Sequence, residues 1–385
     1  RGKAEQRKLI PIENTTVLSN SVITMAESIK AAGYNTAFMG KWHLGAGEKG
    51  GPLMQGFDVN IGGNETGAPK GGYFAPYKNP DMAQGPDGEY LTDRLTREAI
   101  SYIEEQSNDK PFFLYLSHYA VHTPIQAPED TRAKYEKRQG DEFHHNAKYG
   151  AMVDHVDQGV GKILATLKAK GFDNNTLIVL TADNGGFGPV TQSPDLRAWK
   201  GSPYEGGNRV PLLIRMPGHK GAGRITNTPV NSIDFYPTLV EMTGAKIPMG
   251  QIADGESLVP ILNGGDTLQR DALFYHFPAY LQPYGKSTKG VWRARPFGAI
   301  RMGDYKLIEF FEYGQLELYN LVEDNQESKN LALEKPEITA KLLKRMQAWR
   351  DQTNAPIPIK LNPEYNQKFA PKVFVTWQDV KARLK

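Results

Sequence analysis

Residues 22–39 read VITMAESIKAAGYNTAFM, and a change of period inside this stretch decides the fold. Val22, Met25, Ala26 and Ile29 fall at i, i+3, i+4 and i+7, one face of a helix, and Gly33 stands where that helix would be capped. Directly behind it, residues 36–39 form an apolar run of strand length. The alternation repeats downstream. Leu95, Ala99 and Ile103, behind Thr92 as N-cap, predict a second helix. Val153, Val156, Val160, Ile163, Leu164 and Leu167, closed by Gly171, predict a third. Strand-length runs stand at residues 112–116, 177–180 and 210–214, the last extending the same sheet. Helices alternating with strands that are apolar on both sides predict an α/β fold, with a mostly parallel central sheet sandwiched by helices.

The pattern changes near residue 290. Residues 299–301, 305–310 and 316–321 are apolar runs separated by the turn pairs Gly303-Asp304 and Tyr313-Gly314, an antiparallel meander. A fourth helix, carrying Ile338, Leu342, Met346 and Trp349, packs on it. The expected organisation is a large α/β domain, residues 1–290, and a smaller C-terminal α+β subdomain with an antiparallel sheet, residues 291–385, joined through the Pro/Gly-rich stretch 278–290. Residues 47–88, rich in Gly, Pro and Asn, read as an ordered surface loop system.

Composition narrows the function classes. The 385 residues are 39% apolar and 23% charged, which excludes a disordered chain. Forty-six basic against 43 acidic residues leave a net charge of +3, too slight to argue for a nucleic-acid partner. No apolar run approaches the ~20 residues of a membrane span. The absence of cysteine excludes disulfides, zinc-thiolate sites and a cysteine nucleophile within these residues. The chain opens Arg1-Gly2-Lys3-Ala4, with neither an initiator Met nor an apolar leader, which suggests a mature or truncated product.

Each predicted strand runs into polar chemistry at its carboxyl end, where open parallel sheets bind ligands. The first runs into Gly40-Lys41-Trp42-His43, whose Lys41 and His43 point the same way on an extended segment and suit anion binding and proton transfer. The second runs into residues 117–124, SHYAVHTP, with His122 before Thr123-Pro124 and His118 as a local competitor. The third runs into Asp183-Asn184-Gly185-Gly186, whose adjacent carboxylate and amide carbonyl suit a hard cation such as calcium, which takes roughly 6 to 8 oxygens. Lys200 lies in a glycine-rich approach to the next strand, a compact charge suited to an oxyanion. Each also has an ordinary reading when taken singly: an Asp-Asn-Gly-Gly turn, a solvated loop lysine, a structural histidine.

Taken together and in order, these segments resemble the formylglycine-dependent sulfatases, the arylsulfatase branch of the alkaline-phosphatase-like superfamily, over nearly the whole chain. The strongest element is residues 32–45, AGYNTAFMGKWHLG, similar to the second sulfatase signature. Also similar are His122-Thr123-Pro124, Thr181-Ala182-Asp183-Asn184-Gly185, Lys200 with Tyr204-Glu205-Gly206-Gly207, residues 254–258 (DGESL) and Ala299-Ile300-Arg301. The resemblance implies that Asp183 and Asn184 bind Ca2+, and that Lys41 and Lys200 hold the sulfate and formylglycine oxygens. It further implies that His122 protonates or hydrogen-bonds the leaving oxygen and that His43 assists sulfate release.

The chain departs from that family at its nucleophile. Formylglycine arises from Cys or Ser in Cys/Ser-x-Pro-x-Arg, and Ser193-Pro194-Asp195-Leu196-Arg197 has the wrong spacing. The paired aspartates that complete the family's calcium shell are absent too. The expectation is that an N-terminal segment of roughly a hundred residues, carrying a central strand, the nucleophile and further metal ligands, lies upstream. The implied substrate is a sulfated carbohydrate, with His276 as candidate contact and Arg293 and Arg295 as weaker ones. Family habit implies a secreted, periplasmic or lysosomal protein. The competing readings are a phosphoester or phosphonate ester hydrolase of the same superfamily, and a non-catalytic glycan-binding relative.

Overall fold

The computed structural model describes residues 4–281, 292–372 and 374–384. From residue 282 on, the expected linker 278–290 lies outside the described residues. Packing divides the chain into two compact units, one of Thr15–Leu180 and Leu213–Gln269, the other of Arg1–Asn14, Thr181–Leu212 and Arg270–Lys385. The division therefore does not follow a single boundary at residue 290. The loop after the fourth strand belongs with the C-terminal sheet because buried ion pairs, given below, tie it there.

In the first unit, α1 (Met25–Ala31) starts at Thr24 with a capping box: the Thr24 hydroxyl accepts from the Glu27 N–H at 3.2 Å, and the Glu27 carboxylate accepts from the Thr24 N–H at 2.7 Å. Gly33, at φ 95°, turns the chain into β1 (Asn35–Gly40). β2 (Val59–Ile61) comes from within the 47–88 loop region, too short for a hydrophobic pattern to announce it. Then follow α2 (Leu91–Glu105), β3 (Phe112–Ser117), α3 (Glu129–Glu136) and α4 (Ala147–Ala169). β1 lies between β2 and β3, parallel to both. Its Ala37 and Met39 pack with Tyr73, Leu95, Ala99 and Met152. Next come β4 (Ile178–Thr181), the short helix α5 (Glu205–Asn208) of the other unit, β5 (Leu212–Arg215), α6 (Phe235–Thr243) and α7 (Val259–Leu262).

Several expectations differ from the structure in detail, the first being Val22, which lies ahead of the Thr24 N-cap and is exposed. The N-cap of α2 is Tyr90, in extended conformation, while Thr92 lies inside the first turn and is buried. The buried line of α4 runs through Met152, His155, Gly159 and Leu167, and Val153 is 46% exposed. α4 meets α2 at Gly159, where a Cβ would stand 2.5 Å from Thr96 Oγ1; that close approach turns the helix by one residue, about 100°, from the valine stripe. Finally, β4 and β5 form a two-stranded sheet of their own rather than extending that of β1. Tyr115 on the outer strand β3, with Val179, Leu180 and Leu213 on β4 and β5, is exposed where a covered sheet was expected.

The second unit is built on β6 (Leu273–Phe277), β7 (Phe297–Met302), β8 (Tyr305–Phe310) and β9 (Gln315–Asn320), antiparallel in that order, with α8 (Pro336–Thr353) and α9 (Trp377–Lys381). Strand alternation gives the sheet two apolar faces. Ile300, Leu307, Leu316 and Leu318 meet Leu342, Leu343 and Met346 of α8. Ala299, Ile308 and Tyr319 form the other face with Tyr204. No helix among the described residues is long and apolar enough to cross a membrane.

Candidate active site

In the first unit the ends of β1 and β3 are in register, with Gly40 opposite Ser117, and the Lys41 N–H donates to the Ser117 carbonyl at 2.7 Å. Gly40 is obligatory: at φ 105°, a Cβ would lie 1.9 Å from the Ser117 oxygen. The register brings the Lys41–His43 segment and the loop leading to His122 to one end of the sheet. His43 has a positive φ of 66° and donates its N–H to the Asn64 carbonyl at 2.8 Å. Its ring packs on Gly67, where a Cβ would come within 2.4 Å of Cε1. Asn64 is itself fixed, donating to Asn79 Oδ1 and Asp81 Oδ2 at 2.9 and 3.0 Å.

His122 is held by its backbone. Its N–H donates to the Tyr119 carbonyl at 2.9 Å, and the buried Tyr73 hydroxyl lies 2.7 and 2.8 Å from the carbonyls of Tyr119 and His122. Nδ1 is 3.0 Å from the Thr123 carbonyl. Asn64, Gly67 and Tyr73 escaped the sequence reading because residues 47–88 carry no periodicity, and only their density of Gly and Asn marked them as ordered.

His118, the competitor of His122, is a different group. Neither of its ring nitrogens reaches solvent or has a hydrogen-bond partner among the described residues, and burial pulls its pKa down to about 4, against a smaller opposing effect of Asp93. It stays neutral and takes no part in proton transfer near neutrality. An imidazole whose folded pKa is depressed lets the unfolded chain bind the proton first, so stability falls as pH drops below about 6.5 and levels off below about 4. Denaturant titrations from pH 7 to 4 are expected to show this as a loss of roughly 3 kcal/mol that is missing in His118→Leu. An unchanged pH profile in that variant would refute the assignment.

The second unit holds Asp183, Asn184 and Lys200 on one loop. Gly185 donates its N–H to the Gly207 carbonyl at 3.0 Å, and Lys200 donates its N–H to the Gly186 carbonyl at 3.0 Å, which sets the lysine against the Asp-Asn-Gly-Gly turn. Asn184 Nδ2 donates to the Gly185 carbonyl at 3.0 Å, so the amide nitrogen is used locally and the carbonyl end remains for a cation. Asp183 is exposed. The two donors are hard oxygens and fit calcium in kind, as part of a shell of roughly 6 to 8 oxygens. Among the described residues no group of three or more His, Cys, Asp and Glu converges as a metal site.

His276 is placed differently from the expectation of a substrate contact. It stands opposite Gly298 on the sheet face that α8 covers, with Nε2 2.8 Å from the Pro356 carbonyl and its ring against Phe311 and Trp349. Lys306 and Arg301, on the opposite face, meet the Lys200 loop. Burial pushes the His276 imidazole below its ordinary value. Strand parity alone could not show which face the loop would take. Arg295 is engaged with Glu312 and Gln315.

A family model described as Sulfatase matches residues 7–245, and one described as N-sulphoglucosamine sulphohydrolase, C-terminal, matches residues 200–352. A sulfatase of Formosa agariphila is 33% identical, across 91% of this chain and 74% of its own. An N-acetylgalactosamine-6-sulfatase of Mus musculus is 30% identical, across 67% of this chain and 52% of its own, so the chain spans about half the length of that relative. The crystal structure of Ps i-CgsB in complex with k-i-k-neocarrahexaose is 27% identical and superposes with a TM-score of 0.73, covering 98% of this chain and 82% of that one. The mixed architecture is that of the alkaline-phosphatase-like sulfatases. The chain belongs to the sulfatase family of sulfuric ester hydrolases.

Proposed function

We propose that this chain belongs to a calcium- and formylglycine-dependent sulfatase acting on a sulfated carbohydrate. The observation that carries the reading is the register of β1 and β3, which sets Lys41, His43 and the His122 loop at one strand end, the place where open parallel sheets bind ligands. Lys41 and Lys200 hold sulfate oxygens and offset the charge that grows as the S–O bond breaks. His122 gives a proton to the leaving oxygen, and His43 assists release of sulfate. Asp183 and Asn184 hold part of the calcium shell; when bound, the ion adds positive charge beside the ester. Formylglycine would supply the nucleophilic oxygen, and these 385 residues contain no Cys/Ser-x-Pro-x-Arg from which it is made.

Support for a carbohydrate substrate comes from the relatives, one solved with a neocarrahexaose and one named for N-acetylgalactosamine 6-sulfate. Hydrolysis of matched aryl sulfate and aryl phosphate by the full-length protein tests the reading. A strong sulfate preference is expected, lost when calcium is removed by chelation; a strong phosphate preference would overturn it.

A further inference from the structure

A buried ionic cluster in the second unit has no part in the chemistry proposed above. Lys306 of β8 is 1% exposed, and its Nζ lies 2.9 Å from Glu205 Oε1 and 3.1 Å from Glu327 Oε1, both carboxylates being buried. Glu327 Oε2 accepts from the Glu205 N–H at 2.7 Å, and Arg301 Nη1 stands 4.0 Å from Glu205 Oε2. Two carboxylates thus face two cations inside the protein. Arg197 lies over the Tyr204 ring at 3.8 Å and donates to the Tyr319 hydroxyl at 3.0 Å and the Glu327 carbonyl at 2.6 Å. The Tyr204 and Tyr319 hydroxyls each donate to Glu317 Oε2 at 2.8 Å.

Such a cluster is a weak source of stability, since desolvation offsets most of the Coulomb gain and apolar side chains of like volume often serve as well or better. Its distinctive property is direction, and Glu205 stands where direction matters. It opens α5, whose backbone interlocks with the site loop: Gly207 O accepts from the Gly185 N–H, Gly206 N–H donates to the Arg197 carbonyl at 2.9 Å, and Gly186 O accepts from the Lys200 N–H. The interlock has no slack. A Cβ on Gly185 would meet Gly206 O at 1.8 Å, and one on Gly206 would meet Ala198 O at 2.2 Å. A displacement of Glu205 is therefore passed on to Asn184 and Lys200.

We infer that Lys306, clamped between Glu205 and Glu327, is a positioning residue that sets where the Asp183–Asn184 pair and Lys200 stand, and so governs the hold on a divalent cation and on a sulfate oxygen without touching either. The identity of those ligands rests on the sulfatase reading; the positioning rests on the hydrogen-bond chain alone.

The test uses the full-length protein, its Glu205→Gln/Lys306→Met/Glu327→Gln variant, which removes the three charges together and leaves no buried carboxylate unpaired, and Glu327→Gln, which removes one charge with no change of shape. Amide exchange without metal or substrate is read first. In the triple variant the Gly185 and Lys200 amides are expected to lose at least about tenfold in protection, while the amides of β7 and β8 keep theirs; Glu327→Gln loses about threefold at the same two positions. Calcium affinity, by calorimetry, falls about tenfold in the triple variant, and kcat/KM for an aryl sulfate falls with it. Parental protection at Gly185 and Lys200 in both variants, or a loss shared equally by the sheet, overturns the inference. A parent protein that binds no calcium and cleaves no sulfate ester counts against the proposed function, while the exchange result still decides the positioning role.

Discussion

Lys200→Ala in the full-length protein is expected to lower sulfate ester turnover by at least about a hundredfold while the fold stays intact. The magnitude follows from the role: losing one preorganised donor to a developing oxyanion costs about 10² to 10³ in rate, because that charge forms only on the way to the transition state. Lys200 is tied to the Asp183–Gly186 turn by its backbone N–H, so removing the ammonium leaves the anchor in place. The loss therefore falls mainly on kcat and little on thermal stability. Lys200→Arg keeps the charge but carries a planar fork in place of a compact ammonium, and its recovery is expected to be partial. Steady-state kinetics on an aryl sulfate, with circular dichroism on the same samples, decide it. Near-normal turnover in the alanine variant removes Lys200 from the mechanism.

What the sequence disclosed, and what it withheld, follows from the range of the interactions. The helix–strand alternation was legible because a 3.6-residue period and an apolar run are local patterns, and the turn pairs Gly303-Asp304 and Tyr313-Gly314 marked the meander just as locally. The rotation of α4 away from Val153 was not, since it depends on a close approach between Gly159 and Thr96, residues on different helices. Lys306 reads as one more strand residue, and its partner Glu205 is 101 positions away. Lys41, His43, His122, Asp183 and Asn184 stood out because each follows an apolar run, and Lys200 because it lies in a glycine-rich approach to the next strand, both local cues. His276 was named only for the hydrogen bonds an imidazole makes to hydroxyls and sulfates, and it lies within β6 on the sheet face that packs against α8.

His122 provides the sharper test of mechanism, because a proton donor and a structural histidine predict different dependences on the leaving group. Nδ1 lies beside the Thr123 carbonyl and the backbone is held by Tyr73 and Tyr119, so a proton transfer by this imidazole is assigned to Nε2. A sugar hydroxyl is a poor leaving group and needs its proton as the S–O bond breaks, whereas a nitrophenolate leaves readily as the anion. His122→Ala is therefore expected to cost about 10² to 10⁴ in turnover of an alkyl or sugar sulfate, the range for one general acid, and far less on nitrophenyl sulfate. Comparing kcat/KM for both esters in parent and variant measures the difference directly. An equal loss on the two substrates would mean that the imidazole only shapes its loop, and that the leaving oxygen takes its proton from another group.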